Sequence, residues 1–146
     1  MYLLDTDVVC ELRKVHAGKG NPNVAAWNES VESVETFLSS ITIHELEVGT
    51  LLLERKDRRQ GAILRAWLDT KVLPEFDERI LAIDVAVAQR CAKLHVPDPK
   101  PMRDSLIAAT ALVHGMTVVT RNVSDFKPMG VEVLNPWEWS PGPSDE

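Results

Sequence analysis

Cysteine is scarce in this chain: Cys10 and Cys91 are its two thiols in 146 residues, and neither belongs to a CxxC or a Cys/His cluster. Both fall within apolar helical patterns and read as buried, reduced side chains, which argues against a disulfide framework and against a zinc site. Long apolar runs are absent too, so membrane insertion is not expected. The N-terminus lacks the basic region, apolar segment and cleavage site of a secretory signal, and the expected location is the cytoplasm. Basic residues are outnumbered, with 16 Lys and Arg against 22 Asp and Glu and a formal charge of −6. That balance argues against a broad basic surface for nucleic acid. It leaves room for one kind of phosphate chemistry, because acids clustered around metal ions let the bound metal present positive charge to phosphate. Internal repeats and an interdomain linker are also lacking.

What remains is an ordinary globular composition, 45% apolar and 26% charged, long enough to bury one core. A single domain is expected over residues 1–139, with a frayed tail at 140–146. Strand-like and helix-like patterns alternate, which predicts an α/β fold on a mostly parallel sheet. Strands are expected near Tyr2–Leu4, Glu35–Leu38, Ile80–Ile83, Thr117–Val119 and Val131–Leu134. Helices are expected near Val8–Lys14, Asn23–Ser30, Ile43–Asp57, Gln60–Val72, Val85–His95 and Asp104–His114. Gly115 fits the residue that ends the last of these. The prolines of "VPDPKPMRD" impose a loop, and the two tryptophans of "NPWEW" are expected to pack the chain end onto the body or onto a second subunit.

The opening "MYLLDTDVV" poses the functional question, because an apolar strand stops at two carboxylates, Asp5 and Asp7. Desolvating such charges is costly unless a cation, a basic partner or solvent meets them. Ligands of an open parallel sheet bind outside the carboxyl ends of its strands, where helix N-termini also gather. Three other stretches put polar groups at such junctions. In "SSITIHELEVGT", Glu45 lies in a helix's opening turn, either as a ligand or as the partner of Thr42 in a capping box. His44 beside it does not make a zinc-protease helix, since Val48 stands where the second histidine belongs. In "MRDSLIAATALVHG", Asp104 opens a helix whose alanines permit close approach to a sheet, and it reads as a cap or as a ligand held ionised by the helix dipole. In "VVTRNVSDF", Thr120, Asn122 and Asp125 group where the chain turns; Asn122 as a cap and Asp125 as a surface acid are the plainer readings. Taken together, these oxygen donors suit Mg²⁺ or Mn²⁺ rather than zinc.

The segments "LLDTDVV", "ITIHELEVG", "DSLIAATALVHGMTVVTRN" and "VLNPWE", in this order and over nearly the whole length, resemble the PIN-domain family, and within it the VapC-type and FitB-like toxins of bacterial toxin–antitoxin pairs. The resemblance implies a PIN fold with a Rossmann-like central sheet flanked by helices. It also implies a metal-dependent endoribonuclease that cuts RNA such as tRNA or rRNA, usually dimeric, and inhibited by a cognate VapB- or FitA-like antitoxin. By position, the family's acids fall on Asp5, Glu45 and Asp104 and its fourth site on Asn122, with Asp5 and Asp104 as the metal ligands. Asp7 replaces the more usual Asn and either binds metal through water or orients Asp5. Thr120 matches the hydroxyl residue beside the metal, and Asp125 is a substitute for the neutral Asn122. Arg55, Lys56, Arg58 and Arg59 in "ERKDRRQG" are candidates for RNA phosphate contacts, against the plainer reading of a solvated helix end.

Two other functions compete. A haloacid-dehalogenase-type phosphatase would use "DTDVV", with Asp5 as nucleophile and Asp7 as general acid, but it leaves Glu45 and Asp104 unexplained and lacks a later G-D pair. A noncatalytic PIN-like binding module is suggested by the neutral Asn122 and disfavoured by the acids at the other three positions.

Overall fold

The structure, a computed structural model, describes residues 1–142; the last four positions of the expected tail lie outside the described residues. Among these residues five parallel strands form one sheet: β1 (Tyr2–Leu4), β2 (Thr36–Ser39), β3 (Ile80–Leu81), β4 (Thr117–Val119) and β5 (Val133–Leu134), in the order β3-β2-β1-β4-β5. The chain builds outward from β1 through β2 to β3, then crosses back to add β4 and β5 on the other side. The end of β1 is therefore a switch point, the place where an open parallel sheet forms its ligand crevice.

Among the described residues, eight α-helices connect and cover the strands: α1 (Thr6–His16), α2 (Pro22–Ser30), α3 (Ser40–Lys56), α4 (Arg58–Trp67), α5 (Leu73–Glu75), α6 (Val85–Leu94), α7 (Met102–His114) and α8 (Val123–Phe126). Strand residues alternate between the sheet's two faces. Leu4, Leu38 and Val119 join Val8, Val9, Leu12 and the buried Trp27 on one face. Leu3 and Val118 join Ile107, Ala108, Ala111 and Phe126 on the other. The alanines of α7 are fully buried, so this helix lies directly on the sheet. Trp137 and Trp139 pack against the first of these layers, and the carbonyl of Trp137 accepts from Asn23 Nδ2 at 2.7 Å. Among the described residues, no helix is long and apolar enough to cross a membrane.

Several expectations shift. The helix expected over Gln60–Val72 breaks at Trp67 into a wider π turn, Leu68–Val72. Pro74 has no N–H to return to the Thr70 carbonyl, so a regular α ladder cannot run through. The outer strands β3 and β5 are two residues each, shorter than expected and typical of edges that discourage further pairing. Cys91 is buried as expected but Cys10 is exposed, because it falls on the α1 face turned from the sheet while Val8, Val9 and Leu12 take the inner one.

Candidate active site

Asp5 follows β1 directly, and its N–H continues the ladder to the Val119 carbonyl at 2.9 Å. It is also the N-cap of α1: its Oδ1 accepts from the Thr6 N–H at 2.8 Å. Oδ2 accepts from Thr120 Oγ1 at 2.8 Å, and Thr120 sits just past β4, wholly buried. The side chain is only 1% exposed, yet both carboxylate oxygens are met. That is how the sequence tolerates a buried acid after an apolar strand.

The other acids converge from α3 and α7. The N-cap of α3 is Ser39, whose Oγ accepts from the Ile41 N–H at 3.1 Å. The helix thus starts three residues earlier than expected, Glu45 moves into its second turn, and the Thr42–Glu45 capping box is not formed. Thr42 is buried instead, near Thr6 Oγ1 at 3.4 Å, and Glu45 Oε1 accepts from Thr6 Oγ1 at 2.6 Å. Asp104 lies in the first turn of α7, but the N-cap position belongs to Pro101, so Asp104 is not the cap. Between these acids sits Arg103. Its Nη2 donates to Asp5 Oδ1 at 2.5 Å and to Glu45 Oε1 at 2.8 Å, and its Nη1 to Asp104 Oδ1 at 2.7 Å.

Asp7 is placed at the rim. Its Oδ2 accepts from the Arg121 N–H at 3.0 Å, while Oδ1 is buried with no hydrogen-bond partner among the described residues. Burial and the charge of Asp5 push its carboxyl pKa up, against the Arg121 and Val8 N–H groups and the Arg103 charge. Glu45 goes the other way. Burial raises its pKa, but hydrogen bonds from Arg103 and Thr6 outweigh this and hold it below the ordinary value.

Asn122 and Asp125 stand exposed. The Asn122 N–H donates to Thr120 Oγ1 at 3.1 Å, and Asn122 is the N-cap of α8 by backbone position, without a side-chain capping bond. Asp125 donates its N–H to the Asn122 carbonyl. Arg55, Lys56, Arg58 and Arg59 are exposed at the α3–α4 junction. Arg55 lies ten residues beyond Glu45, roughly 15 Å along the helix axis. Sequence reasoning passed over Arg103 and Thr6, the two residues that tie the acids together. Their signal was adjacency alone: each directly neighbours an acid, in "DTD" and "MRD".

The donor set suits a hard divalent cation: four carboxylates, one with an orphaned buried oxygen, and no histidine or thiol among the contacts. Their spacing is set by the guanidinium they share, and among the described residues no three Asp, Glu, His or Cys groups close on one point as ion ligands do.

The PIN domain family model matches residues 2–129 of the chain. The chain belongs to the PIN-domain family. It is 35% identical over 144 residues to VapC ribonuclease Y4jK of Sinorhizobium fredii, covering 94% of this chain and 99% of the relative. It is 36% identical to Toxin FitB of Neisseria gonorrhoeae over the same shares. The crystal structure of FitAcB from Neisseria gonorrhoeae superposes with a TM-score of 0.85 at 35% identity, over 95% of this chain and 100% of that one. The PIN fold expected from the sequence is the fold observed, and membership of this family leaves the phosphatase reading without support.

Proposed function

We propose that this PIN-domain chain is a Mg²⁺- or Mn²⁺-dependent endoribonuclease toxin, acting in the cytoplasm as a homodimer and held in check by a cognate antitoxin of the VapB or FitA kind. The observation that carries the reading is the convergence of Asp5, Glu45 and Asp104 at the carboxyl edge of the sheet around a single positive group. Asp5 and Asp104 are the ligands assigned to the ion, with Glu45 beside them. When bound, a divalent ion supplies an acidified water and neutralises charge developing on the phosphoryl oxygens of RNA.

The chain's own residues fix the geometry. Thr120 and the Thr6 N–H hold the two oxygens of Asp5. Thr6 Oγ1 aims Glu45, and the Arg121 N–H anchors Asp7. Glu45, Asp7 and Asn122 are the groups available to orient a water at the phosphate, with Asp125 in reserve beside Asn122. Arg55, Lys56, Arg58 and Arg59 are proposed to hold RNA phosphates away from the cut, which suits a structured RNA such as tRNA or an rRNA loop recognised by shape.

The test is to express the chain alone and map RNA 5′ ends across the transcriptome, with Asp5→Asn as control. Discrete new ends and growth arrest, both lost in the variant and both relieved by coexpressing the adjacent small antitoxin, are expected. Identical maps for the two chains would reduce the protein to a noncatalytic PIN module.

A further inference from the structure

We infer that Arg103 is a built-in counter-cation that keeps the metal-free site closed and must leave it before a divalent ion is held. The inference rests on the metal-dependent reading above. Three observations carry it. First, the guanidinium takes one oxygen from each of Asp5, Glu45 and Asp104 at 2.5–2.8 Å, so it and an ion compete for the same lone pairs. Ligand oxygens of Mg²⁺ stand about 2.0–2.1 Å from the ion, a closer set than one spread around a guanidinium.

Second, Arg103 occupies the second position of α7, where a positive charge opposes the helix dipole. The three carboxylates supply the compensation that the helix does not. Third, the side chain is 34% exposed whereas Asp5 is 1% exposed. Side-chain torsions alone carry Arg103 outward, and Asp5 keeps its Thr6 and Thr120 donors when it goes. The site is then vacated without being dismantled. Because Arg103 directly precedes Asp104, the same helical turn carries a metal ligand and its competitor.

Mn²⁺ binding to the purified full chain without RNA, measured by titration calorimetry, tests this on wild type, Arg103→Gln, Arg103→Lys and Asp5→Asn. With the competing charge-assisted hydrogen bonds gone, Arg103→Gln should bind Mn²⁺ about tenfold tighter or more. Arg103→Lys, which keeps the charge but not the fork, should fall between. In EDTA, Arg103→Gln should melt earlier than wild type, with Mn²⁺ restoring more stability than it gives wild type. Equal or weaker Mn²⁺ affinity in both Arg103 variants, with wild type binding and Asp5→Asn not, would overturn the inference and leave the metal site standing. No Mn²⁺ binding by any of the four chains would overturn the metal reading and the inference with it.

Discussion

Replacing Thr120 with valine isolates the hydrogen bond that pins the central acid. Valine matches threonine in shape, so packing is kept at a wholly buried position and only the hydroxyl goes. Two contacts are lost: the donation to Asp5 Oδ2 at 2.8 Å and the acceptance from the Asn122 N–H at 3.1 Å. The second matters little, since Asn122 is exposed and water replaces the hydroxyl there. The first leaves one oxygen of a buried carboxylate without its donor, and a hydrogen bond to a charged group contributes about 1.5–3 kcal/mol. Unfolding entropy near 2.1 cal/mol/K per residue gives a chain of this length about 0.3 kcal/mol per kelvin, so a loss of about 2 kcal/mol lowers Tm by roughly 6–7 °C. The assay is thermal unfolding by circular dichroism in EDTA, with Thr120→Ser as the control that keeps the hydroxyl. A Tm for Thr120→Val within a degree of wild type would refute the idea that Thr120 holds Asp5.

Two carboxylates should respond to pH in opposite directions. Asp7 has a folded pKa above its ordinary value of 3.8, so its ionised form costs stability at neutral pH and nothing once both states are protonated. Asp7→Asn should therefore raise Tm at pH 7 in EDTA, lose that advantage below about pH 4, and still cleave RNA. Glu45 has a folded pKa below 4.5, so Glu45→Gln should lower Tm at pH 7, with the difference closing as pH falls through the depressed value; parallel melts over that range check both signs. At Gly115, φ is +66° in the left-handed region that ends α7. Gly115→Ala should cost about 1–2 kcal/mol and lower Tm by roughly 3–6 °C, with Mn²⁺ affinity at the helix's other end unchanged by calorimetry.

The strands and helices were legible where apolar periodicity is strong. Tyr2–Leu4 and Thr117–Val119 match to the residue because both are central strands with abrupt polar ends. Boundaries slipped where a cap overrode periodicity. Ser39 starts α3 directly from β2, a choice that the two consecutive serines leave undetermined in sequence, and the shift removes the capping-box alternative for Glu45. Acid positions were readable because strand-to-helix junctions share one sheet edge in this architecture. What fills the space between them was not readable. The contact of Arg103 with Asp5 spans 98 residues, and a charge next to an acid in sequence is usually a solvated neighbour.

Capping and ligand roles, which compete in the sequence, are one arrangement in the fold. Asp5 and Asp7 begin α1, Glu45 lies early in α3 and Asp104 opens α7, so three helices direct their positive ends at the same place. Each dipole is equivalent to about +0.5 charge near its first turn. Three such ends and the Arg103 guanidinium set about +2.5 against four carboxylates, a residue of about −1.5 that becomes about −2.5 once Arg103 has swung out for an ion. That deficit explains why the site holds acids without collapsing and why a divalent ion suits it better than a monovalent one. The dipole falls off within a turn, so Glu45, in the second turn of its helix, benefits least. It is also the acid whose ionisation depends on Thr6 and Arg103 side chains to outweigh burial. On the metal-dependent reading proposed above, an acidic chain would meet RNA through a pocket close to neutral once an ion is held, and phosphate would not approach the bare carboxylates.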